Sequence, residues 1–312
     1  MSKNDPMKYN FEKLKERILD TLKLSSVRKQ LQKIKGPTIC VGSGGSKVVA
    51  DFASLVLNAK NNCSVKVLDP RDVLYENLTP YKNLFVCSYS GNNHGVNILS
   101  SLKIKKYLLT YKEDKKENFN TLTCLSSLNK EMSFISLAAT LMPMSILLSY
   151  YLNKDISELI EEMFNKVQNQ NFSIQNTSLP FEVMSGNDTS SAEVYLDSTF
   201  VESGLNTLTI HSKYDFCHGR STLAYTKESN LIYLISSKKE LDELLLENLQ
   251  SRYSSIIKLQ SDYKDPILSN FQLTLQAMYL SEYLATKQNI DLSIVNYDKE
   301  LCKKLYKYTG EM

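Results

Sequence analysis

Thr38-Ile39-Cys40-Val41-Gly42-Ser43-Gly44-Gly45-Ser46 is the stretch whose reading decides the fold. A short β-prone run meets a glycine turn, and an apolar helical pattern through Val48, Val49, Phe52, Ala53 and Val56 follows at once. A strand that ends in such a turn and opens a helix leaves backbone N–H groups free at the helix start, where the helix dipole favours an anion. The order then repeats. Ser64 to Leu68, Asn83 to Ser88 and Lys106 to Thr110 read as strands joined by segments of crossover length, which predicts a parallel sheet covered by helices.

Upstream, Phe11, Leu14, Ile18 and Leu22 recur at helical spacing, Val27, Leu31 and Ile34 continue the pattern, and Gly36-Pro37 stops it. Downstream, the apolar Phe134 to Leu152 segment reads as the helix that closes the first unit, and the Asn/Gln/Ser-rich stretch 168–180 reads as a linker. The alternation starts again beyond it. Phe181 to Met184, Thr207 to Ile210, Leu231 to Ser236 and Ser255 to Leu259 read as strands, with helices over Ala192 to Leu205, Lys239 to Asn248 and Leu268 to Lys287. The expectation is an α/β protein with an N-terminal helical segment (1–36), a first domain (37–167), the linker (168–180) and a second domain with a C-terminal tail (181–312). Each domain is expected to be a parallel sheet flanked by helices.

Composition narrows the function classes. The chain has 312 residues, 42% hydrophobic and 23% charged, as a folded globular protein does, and its net charge of +3 comes without a basic stripe. A nucleic-acid partner is not expected. Six cysteines without a CxxC pair, behind no secretory signal, read as free thiols in a reducing, cytoplasmic compartment. Met132 to Asn153 carries no charge, but Ser133, Ser136, Thr140, Pro143, Ser145 and Ser149 interrupt it, so a buried core helix is expected there and not a membrane span.

Three uses compete for the glycine turn. A P-loop needs a different spacing, and a dinucleotide fingerprint has Lys47 where its third glycine belongs, although Asp69 stands where a ribose-binding acid would. A tight turn with no ligand is the bland alternative. Hydroxyl content favours a phosphate ester, because Ser43 and Ser46 add donors to the backbone cradle. A second loop of the same character, Cys87-Ser88-Tyr89-Ser90-Gly91-Asn92-Asn93, also follows an apolar strand. Loops after two strands of one parallel sheet can converge on one ligand. Asp215, Cys217, His218 and the more distant His211 do not form a recognised zinc spacing, and neither a metal nor a cofactor is expected.

These motifs resemble the sugar isomerase (SIS) domain family. Val41-Gly42-Ser43-Gly44-Gly45-Ser46 looks like its first loop, and Ser88-Tyr89-Ser90-Gly91-Asn92-Asn93 looks like its SxSGxT phosphate loop, with Asn93 in place of threonine. The resemblance implies phosphosugar contacts from Ser46, Ser88, Tyr89, Ser90 and Asn93, to which Ser43 is added as a hydroxyl of the first turn. The second half resembles the second SIS domain in the isomerase module of glucosamine-6-phosphate synthase and in fructosamine-phosphate deglycases. Asp215-Phe216-Cys217-His218-Gly219-Arg220 stands at the ExxHGP segment, sixteen residues after Glu202 when counted to His218. The resemblance makes Glu202 the base and His218 the ring-opening group. Arg220, in place of proline, could pair with a carboxylate or a second phosphate. It also implies a homodimer and a lysine from the C-terminal tail, for which Lys303, Lys304 and Lys307 are candidates. No glutaminase domain precedes these residues, so ammonia-fed aminosugar synthesis is not expected.

The functional expectation is an aldose-ketose isomerase, or a deglycase splitting a sugar-amine adduct. Its alternatives are a non-catalytic sugar-phosphate-sensing regulatory protein and a nicotinamide-dependent enzyme. The expected ligand is a phosphorylated sugar or sugar-amine adduct.

Overall fold

A computed structural model describes residues 5–23, 26–111, 116–131, 133–222, 224, 227–237, 240–295, 298 and 300. The chain divides into two compact units, Met1–Ile160 with Ser293–Met312, and Glu161–Leu292. The division falls before the 168–180 stretch, and the segment from Ser293 joins the first unit, not the second. Ser293 is tied there by backbone, its carbonyl accepting from the Phe134 N–H at 3.1 Å.

In the first unit, β1 (Thr38–Val41), β2 (Val65–Leu68), β3 (Asn83–Cys87), β4 (Lys105–Thr110) and β5 (Asn120–Thr123) form a parallel sheet in the order β2-β1-β3-β4-β5. β1 and β3 are buried along their whole length, as strands with helices on both faces must be. α1 (Pro6–Glu12), α2 (Leu14–Leu22) and α3 (Ser26–Leu31) precede the sheet, and α4 (Gly45–Asn61) and α5 (His94–Leu99) follow β1 and β3. α6 (Ala138–Leu152) is buried on nearly every side, and no helix among the described residues is long and apolar enough to cross a membrane. The apolar run of the sequence is thus a core helix. α7 (Ser157–Gln168) was not expected from the sequence, nor was β5.

In the second unit, β6 (Phe181–Ser185), β7 (Leu208–Ser212), β8 (Asn230–Ile235) and β9 (Ser255–Gln260) form a parallel sheet in the order β7-β6-β8-β9. α8 (Ser190–Ser203), α9 (Glu240–Leu249) and α10 (Pro266–Gln288) pack with it, at the places the periodicity predicts. Two polar clusters sit inside this apolar core. Glu182 accepts from Ser229 Oγ at 2.7 Å and Tyr253 OH at 2.9 Å, and lies 3.0 Å from His211 Nε2. Lys213 Nζ meets Asp242 Oδ1 at 2.7 Å, and the Tyr233 hydroxyl donates to the same oxygen at 2.9 Å.

Candidate ligand and active site

The order β2-β1-β3 means that the chain leaves β1 in one direction for β2 and returns on the other side as β3. The crevice outside the carboxyl ends of β1 and β3 is therefore the switch point at which open α/β sheets bind ligands. Both serine loops open onto it. Gly42 is required at the first turn, because a Cβ there would stand 2.2 Å from the Ser46 carbonyl oxygen. Gly91 adopts φ +64° and lies so near β4 that a Cβ would meet Thr110 Oγ1 at 2.9 Å.

Ser46, Ser88 and Tyr89 come together around one cavity, with Thr110, Tyr111, Ala139 and Met142 among its other lining residues; its volume is about 20 Å³. Beside it opens a groove of about 610 Å³, to which Tyr89 and Ala139 also belong, lined further by Lys130, Glu131, Ser136 and Ile294. That volume suits a small-molecule ligand. Tyr89 stacks on Tyr111 with ring centroids 5.0 Å apart, and burial, with the Glu131 charge adding to it, pushes its hydroxyl well above the usual tyrosine range. It stays a neutral donor at any working pH.

The remaining loop residues are engaged with the protein. Ser43 is exposed and donates to Asp69 Oδ2 at 2.6 Å, so this hydroxyl faces a carboxylate of the chain and lies outside the cavity wall. Ser90 Oγ accepts from the Asn92 N–H at 3.4 Å. Asn93 caps α5, its Oδ1 accepting from the Val96 N–H at 2.9 Å. The Ser88 hydroxyl is buried and accepts from the Gly91 N–H at 3.2 Å, which holds the turn and still leaves its proton to give.

Glu131 was not read from the sequence. Its carboxylate accepts from the N–H groups of Leu137 at 3.1 Å and of Ala138 and Ala139 at 3.0 Å each, closing the start of α6 on the side of the groove. Burial lifts its carboxyl above the usual range, while those three N–H groups and the Arg17 charge draw it down in part. The acid stands six to eight residues from its donors, so no local capping pattern announces it.

The second unit has a corresponding switch point between β6 and β8, and a carboxylate stands beside it. Asp188, in the turn after β6, accepts from Ser236 Oγ, which follows β8. A half-buried acid in that position disfavours a phosphate. Glu202 lies in the last turn of α8, where it accepts from Ser198 Oγ at 2.7 Å; burial raises its carboxyl above the usual range, Ser198 offsets this and Asp197 adds to it. His218 is exposed in the turn after β7, with Gly219 beside it at φ +117°. Arg220 folds back on β7, its Nη1 donating to the Ile210 carbonyl at 3.4 Å.

Topology separates Glu202 from His218. Because β6 and β7 are parallel, α8 must run back to the amino edge of the sheet, and β7 then returns to the carboxyl edge, where His218 lies. One strand of this length spans about 16 Å. The two candidates occupy opposite edges of their own sheet. His211 is in the core with Glu182, away from the exposed Asp215, Cys217 and His218. Among the described residues no group of three or more His, Cys, Asp or Glu side chains could hold a metal. Lys303, Lys304, Lys307 and Cys302 lie outside the described residues.

No protein-family model and no curated protein matches the chain. Solved structures do. A tagatose-6-phosphate ketose/aldose isomerase from Escherichia coli matches with a TM-score of 0.75 at 12% identity, over 95% of this chain and 98% of that one. A glucosamine-6-phosphate deaminase from Thermotoga maritima matches at 0.72 and 15%, over 93% and 98%. The C-terminal domain of glucosamine-fructose-6-phosphate aminotransferase from Francisella tularensis matches at 0.71 and 12%, over 94% and 99%. Two parallel, helix-covered sheets in these orders, matched along nearly the whole length of such proteins, give this chain the two-domain α/β fold of the phosphosugar isomerase, or SIS, type.

Proposed function

We propose that this protein binds a phosphorylated sugar at the first sheet's switch point and interconverts its aldose and ketose forms. The observation that carries the reading is the gathering of Ser46, Ser88 and Tyr89 at the carboxyl ends of two adjacent strands, beside a groove of sugar-accommodating size. A glycine turn at the start of α4 and the serine hydroxyls suit a phosphate ester. The fold neighbours named for sugar-phosphate isomerisation and deamination support the same ligand class.

The reaction needs a base that takes a proton from the carbon beside the carbonyl and returns it to the neighbouring carbon through an enediolate, and a group that opens the ring. Glu202 suits the first role, because burial raises its carboxyl above the usual range and so makes the carboxylate a stronger base. His218 suits the second, being exposed on a turn. Their placement on opposite edges of one sheet favours supply from two copies of the chain, and we propose a homodimer with shared sites. A deglycase would use the same two groups on a sugar-amine adduct.

Incubation with sugar phosphates in deuterium oxide, followed by NMR, tests the reading. Isomerisation with deuterium incorporation at the carbon beside the carbonyl is expected for wild type and should be lost in Glu202→Gln. A ligand that binds wild type without any exchange or conversion would instead identify a sugar-phosphate sensor.

A further inference from the structure

The groove beside the serine loops has an unbalanced charge. Lys130 stands exposed at its rim, with Nζ 5.7 Å from the centre of the Tyr89 ring. Among the described residues no carboxylate lies within ion-pair distance of that Nζ. The neighbouring acid, Glu131, does not supply one, because both its oxygens are turned onto the start of α6. A second cation lies behind: Arg17 is 2% exposed, donates to Asn10 Oδ1 at 3.3 Å, keeps a buried Nε without a partner, and acts electrostatically on both Tyr89 and Glu131.

A sugar whose phosphate rests on Ser46 and Ser88 must pass Tyr89 to fill the groove, since Tyr89 lines both spaces. The cation that lines this groove is Lys130. A neutral sugar end would leave that charge to solvent, whereas an anion would pair with it beside an aromatic ring.

We propose that Lys130 is a specificity residue that reads a second anionic group, so that the preferred ligand is a sugar phosphate bearing a further acid at the end remote from the serine loops. The inference rests on the sugar-phosphate reading. The acid is either a second phosphate, which on C1 would make the molecule an effector and not a substrate of the isomerisation, or the carboxylate of an amino acid joined to the sugar as an amine adduct, and both present a negative charge to Lys130. Arg220, the residue singled out in the sequence for this role, is folded back onto Ile210 in the second unit.

Calorimetric titration of the full chain with fructose-6-phosphate, fructose-1,6-bisphosphate and the glycine adduct of fructose-6-phosphate tests this. Wild type should bind at least one of the two diacids roughly tenfold more tightly than the monophosphate, as expected for one charge-assisted contact. Whichever diacid shows the advantage identifies the source of the acid. Lys130→Gln, an exposed substitution that should leave the melting temperature unchanged, should reduce that advantage to about twofold or less, with monophosphate binding weakened by a smaller factor than diacid binding. Ser88-dependent binding of the monophosphate with no preference for either diacid, or a preference that survives Lys130→Gln, overturns this inference alone. Absence of binding by all three, or binding indifferent to Ser88→Ala, overturns the sugar-phosphate reading and this inference with it.

Discussion

Glu182 and His211 meet at 3.0 Å inside the second unit, with side chains 6% and 1% exposed. Burial alone would raise the Glu182 carboxyl, but hydrogen bonds from His211, Ser229 and Tyr253 outweigh it and hold the group below its ordinary value of 4.5. A carboxyl depressed in the folded state adds stability above its unfolded pKa, and that stability is lost as pH falls through the folded value. Denaturation midpoints should therefore decline on acidification below the ordinary carboxylate range. Glu182→Gln should flatten that decline, and Glu182→Ala should cost about 3–5 kcal/mol at neutral pH by leaving three buried partners unpaired.

The Lys213–Asp242 pair obeys a different rule. Both side chains are nearly inaccessible, at 8% and 1%, so removing one partner strands a buried charge. Lys213→Met should destabilise by about 3–5 kcal/mol in urea unfolding. The double replacement Lys213→Met with Asp242→Leu should recover a large part of this, because an apolar pair of similar volume carries no desolvation penalty, although the Tyr233 hydroxyl loses its acceptor.

Much of this architecture was legible because its strands are short apolar runs bounded by turns, and its helices carry a clear apolar stripe. β5 escaped because Asn120–Thr123 is a four-residue edge strand with polar residues at three of its positions. α7 did carry a signal, in Ile156, Ile160, Met163, Phe164 and Val167, which the adjacent polar stretch obscured. At the site, Ser46, Ser88 and Tyr89 were legible as loop residues at strand ends. Glu131 and Lys130 were not, since their meaning comes from a groove assembled by residues distant in sequence. The occupation of Ser43 by Asp69 likewise depends on β2 lying next to β1, which local pattern does not state.

The second serine loop depends on Gly91 for its shape. Gly91→Ala forces a side chain into a left-handed conformation and against Thr110, which should cost about 1–2 kcal/mol of stability. Sugar-phosphate affinity should fall further than the melting temperature alone would suggest, because the Ser88 and Ser90 positions move with the turn. Parallel thermal and calorimetric measurements on the one variant check both effects.

If Glu202 of one copy and His218 of another serve one site, Glu202→Gln and His218→Ala should each be inactive alone. Mixed after reversible dissociation, the two variants should regain about a quarter of wild-type turnover, since half the dimers are mixed and each mixed dimer has one intact site. Light scattering should show a dimer. A monomer, or no recovery on mixing, would remove the shared-site arrangement.

The most direct measurement is the thermal stabilisation of wild type and Ser88→Ala by a panel of sugar phosphates, aminosugar phosphates, sugar-amine adducts and nucleotides, because a ligand bound only by the native state raises its melting temperature. At a ligand concentration about a hundred times the dissociation constant, a sugar phosphate should stabilise wild type by about 2.7 kcal/mol and Ser88→Ala far less. Stabilisation by nucleotides or nicotinamide dinucleotide alone, or an equal response of both proteins to sugar phosphates, would contradict the assignment of the switch-point crevice to a phosphosugar.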